Sequence, residues 1–409
     1  PIYYGVAYIM DLTIENKLIP FVVLVIGLGI AASTALMSMG YILLIVLTVL
    51  HSVGRRLIID SFKNKFVLFG FVFYLVLLFG MLWSDADFHD RSKMALRVVG
   101  FGILPFFFAG LRIQNAAKLL LKAFIVGEVL SAVISIGAWY FNHPVLMGTK
   151  DTIFYWAVFR GHLLHVVFLA IASNFILWQV FSNEISKKQW VIYIVLYLLL
   201  FYDGFFLVQG RTGQVMMLAM NLMIVILRFR LKGIIMAIIA ATIVVPLLIK
   251  FSPAVKDGVS SYQQDQQLYK QGNSDTSTGL RKQFHHNSII MFKQSPVFGH
   301  GTGSYPSHYK ALISGTSQPM NMQPHGDLYL IAVELGAFGL CIFVIMLLAN
   351  IFELYRLKNR YMQGMGFSLL LGYLIALTQN SFFTDNVSGL AFIFIMLAIL
   401  ACNKKNEVI

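Results

Sequence analysis

The chain has 409 residues, 58% of them apolar and 12% charged, and its mean hydropathy of +0.76 lies above what a soluble domain with a wetted surface carries. A net charge of +13 would suit a nucleic-acid reader only if the Lys and Arg gathered on one face. They fall instead in short clusters between apolar runs, so nucleic acid is excluded as a partner and the charge reads as a topology signal for a polytopic membrane protein. Cys341 and Cys402 sit in or at the end of apolar segments without metal-ligand spacing, which supports neither a disulfide framework nor a zinc site. No cleavable leader is recognisable at Pro1, and the first apolar run is expected to act as the anchor.

Windows of about 17 to 25 apolar residues, the length that crosses the hydrocarbon of a bilayer, predict an all-α chain of twelve spans. They begin near Lys17, Met37, Lys65, Met94, Lys118, Ala157, Trp190, Gly213, Leu231, Asp327, Gly364 and Val387. The first two share the stretch from Leu18 to Val53, where Ala31-Ala32-Ser33-Thr34 suits a reversal and one long tilted helix is the alternative. Connections bearing Arg55, Arg56, Lys63 and Lys65, then Arg112, Lys118 and Lys122, then Lys187 and Lys188, then Arg228, Arg230 and Lys232, then Arg356, Lys358 and Arg360, then Lys404 and Lys405, are cytoplasmic by the positive-inside rule. The acidic run Asp85 to Asp90, the stretch Asn142 to Lys150, the turn Gln209 to Gly213 and Asn380 to Asn386 face outward, with Arg91 and Lys93 as the main exception. Both termini are then inside.

One connection leaves the membrane for some seventy residues, from Phe251 to Gln323, and divides the chain into spans one to nine (1–250), an outer loop subdomain (251–325) and spans ten to twelve (326–409). Its Gln-rich first half, Gln263 through Ser277, is polar and reads as a mobile flap. In its second half Ser277 or Thr278 can cap a short amphipathic helix starting near Leu280. Leu280, Phe284 and Met291 share one face of it, and Arg281, His285 and Ser288 another.

Arg160, Arg211, Arg281 and His325 all fall on the outer side, where basic residues should be scarce. An arginine near membrane depth costs about 2.5 to 3.5 kcal/mol on insertion scales, so three of them imply an anionic partner, and the guanidinium fork suits a diphosphate. The plainer alternatives are that Arg160 and Arg211 snorkel to headgroups or pair with a buried acid such as Asp203, that Arg281 is an ordinary loop charge, and that His325 is structural. Phe298-Gly299-His300-Gly301-Thr302-Gly303 lacks the βαβ context of a dinucleotide site; Gly299 and Gly301 there form either an anion nest or a tight turn after Pro296. Asp85-Ala86-Asp87 has metal-binding spacing, but an acidic outer loop explains it equally well, and no metal or cofactor is expected.

The run Pro324-His325-Gly326-Asp327-Leu328 through Gly336-Ala337-Phe338-Gly339-Leu340 resembles the signature of the O-antigen ligase, O-antigen polymerase and O-oligosaccharyltransferase superfamily. There a His opens the helix after the large outer loop and a Gly-x-x-Gly follows; Gly326 departs from the Asn, Ser or Gln usual after the His. Gly279-Leu280-Arg281 followed by Pro296-Val297-Phe298-Gly299 to Gly303, Arg211 in Gly210-Arg211-Thr212-Gly213, and Arg160 match the family's other positions. The resemblance implies a GT-C-like enzyme of the bacterial inner membrane with a periplasmic site. It implies a metal-independent, inverting transfer from an undecaprenyl diphosphate-linked glycan, with Arg211 and Arg281 gripping the diphosphate and Arg160 supporting. His325 would take the acceptor's proton, and Asp327 or Glu334 would help orient the site. The compact outer loop most resembles a ligase, whose acceptor is lipid A-core; a polymerase or protein O-oligosaccharyltransferase is the alternative. A solute carrier is disfavoured, since the charges gather at one face and no inverted repeat is visible. A lateral apolar groove for the prenyl tail is also expected.

Overall fold

The computed structural model describes residues 14–143, 156–182, 185–271, 273–316 and 318–402. The expected outer residues 144–150 and the basic pair Lys404 and Lys405 lie outside them, as does Pro1. Among the described residues the protein is helical, with no strand. The helices are α1 (Ile19–Ala32), α2 (Thr34–Leu50), α3 (Ser52–Ser61), α4 (Lys65–Gly80), α5 (Phe88–Arg97), α6 (Val99–Gly102), α7 (Leu104–Arg112), α8 (Ala116–Tyr140) and α9 (His162–Val180). They continue as α10 (Lys187–Tyr202), α11 (Arg211–Phe229), α12 (Leu231–Phe251), α13 (Pro253–Lys270), α14 (Ser277–Gln294), α15 (Tyr305–Ile313), α16 (Asp327–Arg356), α17 (Arg360–Ala376) and α18 (Asn386–Ala401).

Among the described residues six helices are long and apolar enough to cross a membrane, namely α8, α9, α10 with its continuation to Leu207, α11, α12 and α16. The pair α2 and α3, bent by 107°, makes a seventh if taken as one span, and α1, α4 and α18 are shorter apolar helices. This is a membrane protein. The stretch expected to cross from Met94 is instead broken into α5, α6 and α7, because Gly100 and Gly102 lower helix propensity and Pro105 lies in the first turn of α7. The reversal at Ser33 is real: its hydroxyl caps α2 by accepting from the Leu36 amide at 3.4 Å. Small residues let neighbours approach, so a Cβ on Gly127 would lie 2.7 Å from the α1 methyl of Ala31, inside contact distance.

The Gln-rich stretch read as a flap is helical as far as Lys270. Ser252 caps α13 with Pro253 in its first turn, and Val255, Val259 and Tyr262 recur on one face. The next helix begins at Ser277, with Thr276 as its cap in place of Ser277 or Thr278; the Thr276 hydroxyl accepts from the Gly279 amide at 3.1 Å.

After α14 the glycine run docks into a break in α16. Gly336 has φ +64°, and the interruption frees carbonyls of the preceding turn. The amides of His300 and Gly301 donate to Val333 and Glu334 at 2.9 and 2.8 Å, while Ala337 and Phe338 donate to Pro296 and Val297 at 2.8 and 3.0 Å. A Cβ on Gly336 would collide with the Val297 carbonyl, and one on Gly299 with Glu334 backbone.

Candidate active site

Arg211 is the first residue of α11, with Gly210 as N-cap, and Arg281 lies in the second turn of α14. Seventy residues apart in sequence, they line one cavity of about 350 Å³ together with Thr212, Tyr262, Lys282, His285 and Gln379. Among the described residues Asp265 is the carboxylate bonded there: it lies 4.0 Å from Arg211 and accepts from the Thr278 hydroxyl at 2.8 Å. Arg211 also approaches the Ser277 hydroxyl at 3.4 Å. Burial and the neighbouring Arg211 charge lower the pKa of Arg281, and Asp265 opposes them. With Arg211, Arg281 and Lys282 against one acid, the cavity is net positive and attracts anions.

His325 sits beside this cavity on the turn before α16, at φ +55°. His285, which lines the cavity, bonds through Nε2 to the His325 carbonyl at 3.4 Å and stacks on Tyr329 at 4.1 Å. Phe284 flanks the His325 ring with centroids 6.0 Å apart. Burial pushes the His325 imidazole below its ordinary pKa, and the charges of Arg281 and His285 add to the shift. His285 is lowered too, first by burial, then by Arg281, with its bond to the His325 carbonyl acting in opposition. Neutral imidazoles beside permanent cations can accept protons at neutral pH.

Arg211, Val215 and Tyr262 are shared with a second, apolar cavity of about 360 Å³ between α11, α12 and α13, walled by Leu218, Leu248 and Val259. It runs from the basic cavity along the exposed apolar face of α12.

The remaining residues expected at the site lie elsewhere. Arg160 does not line either cavity: it donates to the carbonyls of Gly29 (2.6 Å) and Ile30 (2.9 and 3.2 Å) and to the Thr34 hydroxyl (2.5 Å), closing the end of α1. The acid suggested for it, Asp203, instead bonds His165 at 2.9 Å and Ser135 at 2.6 Å. Asp327 is buried and holds the turn before α18, accepting from the amides of Phe383 (3.0 Å) and Thr384 (2.8 Å) and from the Thr384 hydroxyl (2.7 Å). The Gly301 amide is spent on the Glu334 carbonyl and that of Gly299 on Ser295, so the run forms a tight docking turn and offers no anion nest. Asp87 caps α5 and Asp85 bonds His308 at 2.9 Å.

His285 was the residue most readily missed. Its spacing of four from Arg281 put both on one helix face, but nothing in the sequence placed that face against Arg211.

Residues 194–344 match the family model described as O-antigen ligase. This matched region is similar to the O-antigen ligase family. No curated protein matches the chain significantly. The matched region runs from within α10 to within α16, and so holds Arg211, Arg281, His285, the glycine run and His325, while Arg160 precedes it.

Proposed function

We propose that this membrane protein is an O-antigen ligase that moves polysaccharide from undecaprenyl diphosphate to a sugar hydroxyl of lipid A-core on the periplasmic face of the inner membrane. The observation that carries this is the convergence of Arg211 and Arg281 on one cavity beside His325, inside the matched region. The two guanidiniums bind the diphosphate bidentately, and the apolar cavity that begins at Arg211 takes the first prenyl units. The acceptor hydroxyl attacks the anomeric carbon from the side opposite the diphosphate, and its proton passes to the neutral imidazole of His325. The C1–O bond to phosphate breaks with its electron pair going to the diphosphate, whose growing charge Arg211 and Arg281 stabilise, and the configuration at C1 inverts. With two guanidiniums supplying that charge, no metal is called for. Arg160 supports from a distance by fixing α1, and Asp327 by fixing the turn at Phe383.

In this reading the chain makes twelve crossings in a GT-C-like arrangement, with 251–325 as the periplasmic subdomain between 1–250 and 326–409 and both termini cytoplasmic. Each of the twelve apolar segments coincides with a helix or, at α5 to α7, a broken set, which supports the count.

The test is complementation with His325→Ala in cells lacking the endogenous gene, resolving lipopolysaccharide beside lipid-linked glycan. Loss of the O-antigen ladder with polymer accumulating on the prenyl carrier is expected. Single repeats still joined to core would mark a polymerase, an unaffected lipopolysaccharide with loss of protein glycans an O-oligosaccharyltransferase, and an unchanged ladder from well-expressed protein would remove His325 from the chemistry.

A further inference from the structure

A second basic cavity, of about 330 Å³, lies at the far end of the helices that build the first. Arg211 opens α11 and Arg228 and Arg230 close it, so about 17 to 19 residues, roughly 25 to 28 Å of helix, separate them. Arg360 opens α17, whose other end supplies Ile375 and, just beyond, Gln379 to the first cavity. Snorkelling arginines fan outward to water. These three converge on one space.

Residues two apart on a helix point to nearly opposite sides, yet Arg228 and Arg230 line the same cavity. The chain reverses at Arg230, which has φ +56° and lies between the end of α11 and the start of α12. A non-glycine residue in that conformation is held there at a cost by its surroundings. Arg228 is fixed sideways: Nε and Nη2 both donate to the Phe181 carbonyl, at 3.0 and 2.8 Å, and the guanidinium lies 6.0 Å from the Trp178 ring centre. A Cβ on Gly364 would lie 2.5 Å from the Trp178 ring, so the ring seats flush against α17 only because that side chain is absent. The amides at the start of α17 are taken by the Asn359 side chain, at 3.0 and 3.2 Å, which leaves the Arg360 guanidinium as that helix's contribution. Among the described residues no carboxylate lines the cavity; Glu353 nearby is bonded to Arg356 and to the Lys65 amide at 3.5 and 2.8 Å. Trp178, Tyr355 and Phe367 supply an aromatic wall.

We infer that this cavity binds the phosphate of an anionic phospholipid headgroup in the leaflet opposite the His325 site, with Arg228, Arg230 and Arg360 on the phosphate and the aromatic wall against the upper acyl chain. A basic pocket between membrane helices, with an aromatic flank at headgroup depth, fits a lipid phosphate better than a soluble anion. The assignment needs only a membrane protein and stands or falls independently of the transfer reaction.

The experiment is native mass spectrometry of the full chain with phosphatidylglycerol, cardiolipin, phosphatidylethanolamine or inorganic phosphate added singly. The wild type should retain phosphatidylglycerol and cardiolipin in preference to phosphatidylethanolamine. Arg230→Gln/Arg360→Gln should weaken the first anionic lipid by about 30-fold, at about fivefold per guanidinium, with phosphatidylethanolamine unchanged. Arg230→Lys/Arg360→Lys keeps the charges and should retain most of the binding, which separates loss of the site from loss of the fold. Equal retention of phosphatidylglycerol by the Gln variant and the wild type, or no wild-type preference for anionic lipid, overturns the inference. Inorganic phosphate bound in an Arg230-dependent and Arg360-dependent manner without lipid preference would assign the cavity to a soluble anion and overturn it equally.

Discussion

The Nε2 atom of His285 bonds the backbone carbonyl of His325 across 3.4 Å, tying a residue that lines the arginine cavity to the turn that carries the proposed base. The histidine on α14 thereby holds the chain at the start of α16 in a backbone conformation, φ +55°, that non-glycine residues rarely adopt. Replacing it with alanine should lower transfer at least tenfold at unchanged expression, through misplacement of His325, while His285→Gln, which retains an N–H, should recover part of the rate. A steady-state comparison of the two variants checks this.

Protonation of either imidazole is disfavoured by burial and by Arg281. Transfer should therefore rise with pH through a pKa below about 6.5 and be flat above it. The stability sign agrees: folded-state pKa values below the unfolded one give stability that is present above about pH 6.5 and lost as pH falls through the folded values. A pH–rate profile with parallel thermal melts reads both, and a rate still climbing above pH 7.5 would point to a different base.

Arg160 and Arg211 should respond differently to lysine. Arg160→Lys cannot reproduce the set of bonds to Gly29, Ile30 and Thr34, so it should cost on the order of 1 to 2 kcal/mol of stability and leave donor KM within about twofold. Arg211→Lys and Arg281→Lys should raise donor KM about tenfold with melting little changed. A KM increase for Arg160→Lys matching theirs would place it on the donor after all.

For Asp327, the asparagine variant replaces one charged acceptor oxygen with a donor facing the Phe383 and Thr384 amides. A loss of about 2 kcal/mol is expected, measurable as a lowered melting temperature in detergent.

Gly336→Ala should be costly where Gly315→Ala is mild. Both glycines have positive φ, +64° and +77°, but a Cβ at 336 strikes the Val297 carbonyl whereas nothing lies within 4 Å at 315. The first should lose more than about 2 kcal/mol and open the loop near Pro296 to protease; the second should lose about 1 kcal/mol.

Span positions were legible because hydrocarbon thickness imposes a length that hydropathy reports directly, and the ends of α8 through α12 follow it. The broken segment from Phe88 to Arg112 was less so: Gly100, Gly102 and Pro105 were visible, but apolar residues between them sustained the appearance of one continuous helix. Composition hid α13, since Gln263, Gln264 and Gln267 face outward while the small Ala254 and Gly258 are its buried residues, and Gln266 turns in to accept from Lys282. At the site, Arg211, Arg281 and His325 could be named from their chemistry, yet their mutual position depends on α14 folding back over α11. The partners of Arg160 were beyond reach because all but the Thr34 hydroxyl are main-chain carbonyls, whose availability is decided by where α1 stops.

The joint between the glycine run and the break in α16 consists of four main-chain bonds, from His300, Gly301, Ala337 and Phe338. Main-chain atoms are the same whatever residue bears them, so the joint constrains the alphabet only where a side chain would intrude, at Gly299 and Gly336. The positions between can drift through evolution without loosening it, leaving Val297, Phe298 and Phe338 free to be retuned toward whatever glycan or lipid passes along that exposed edge.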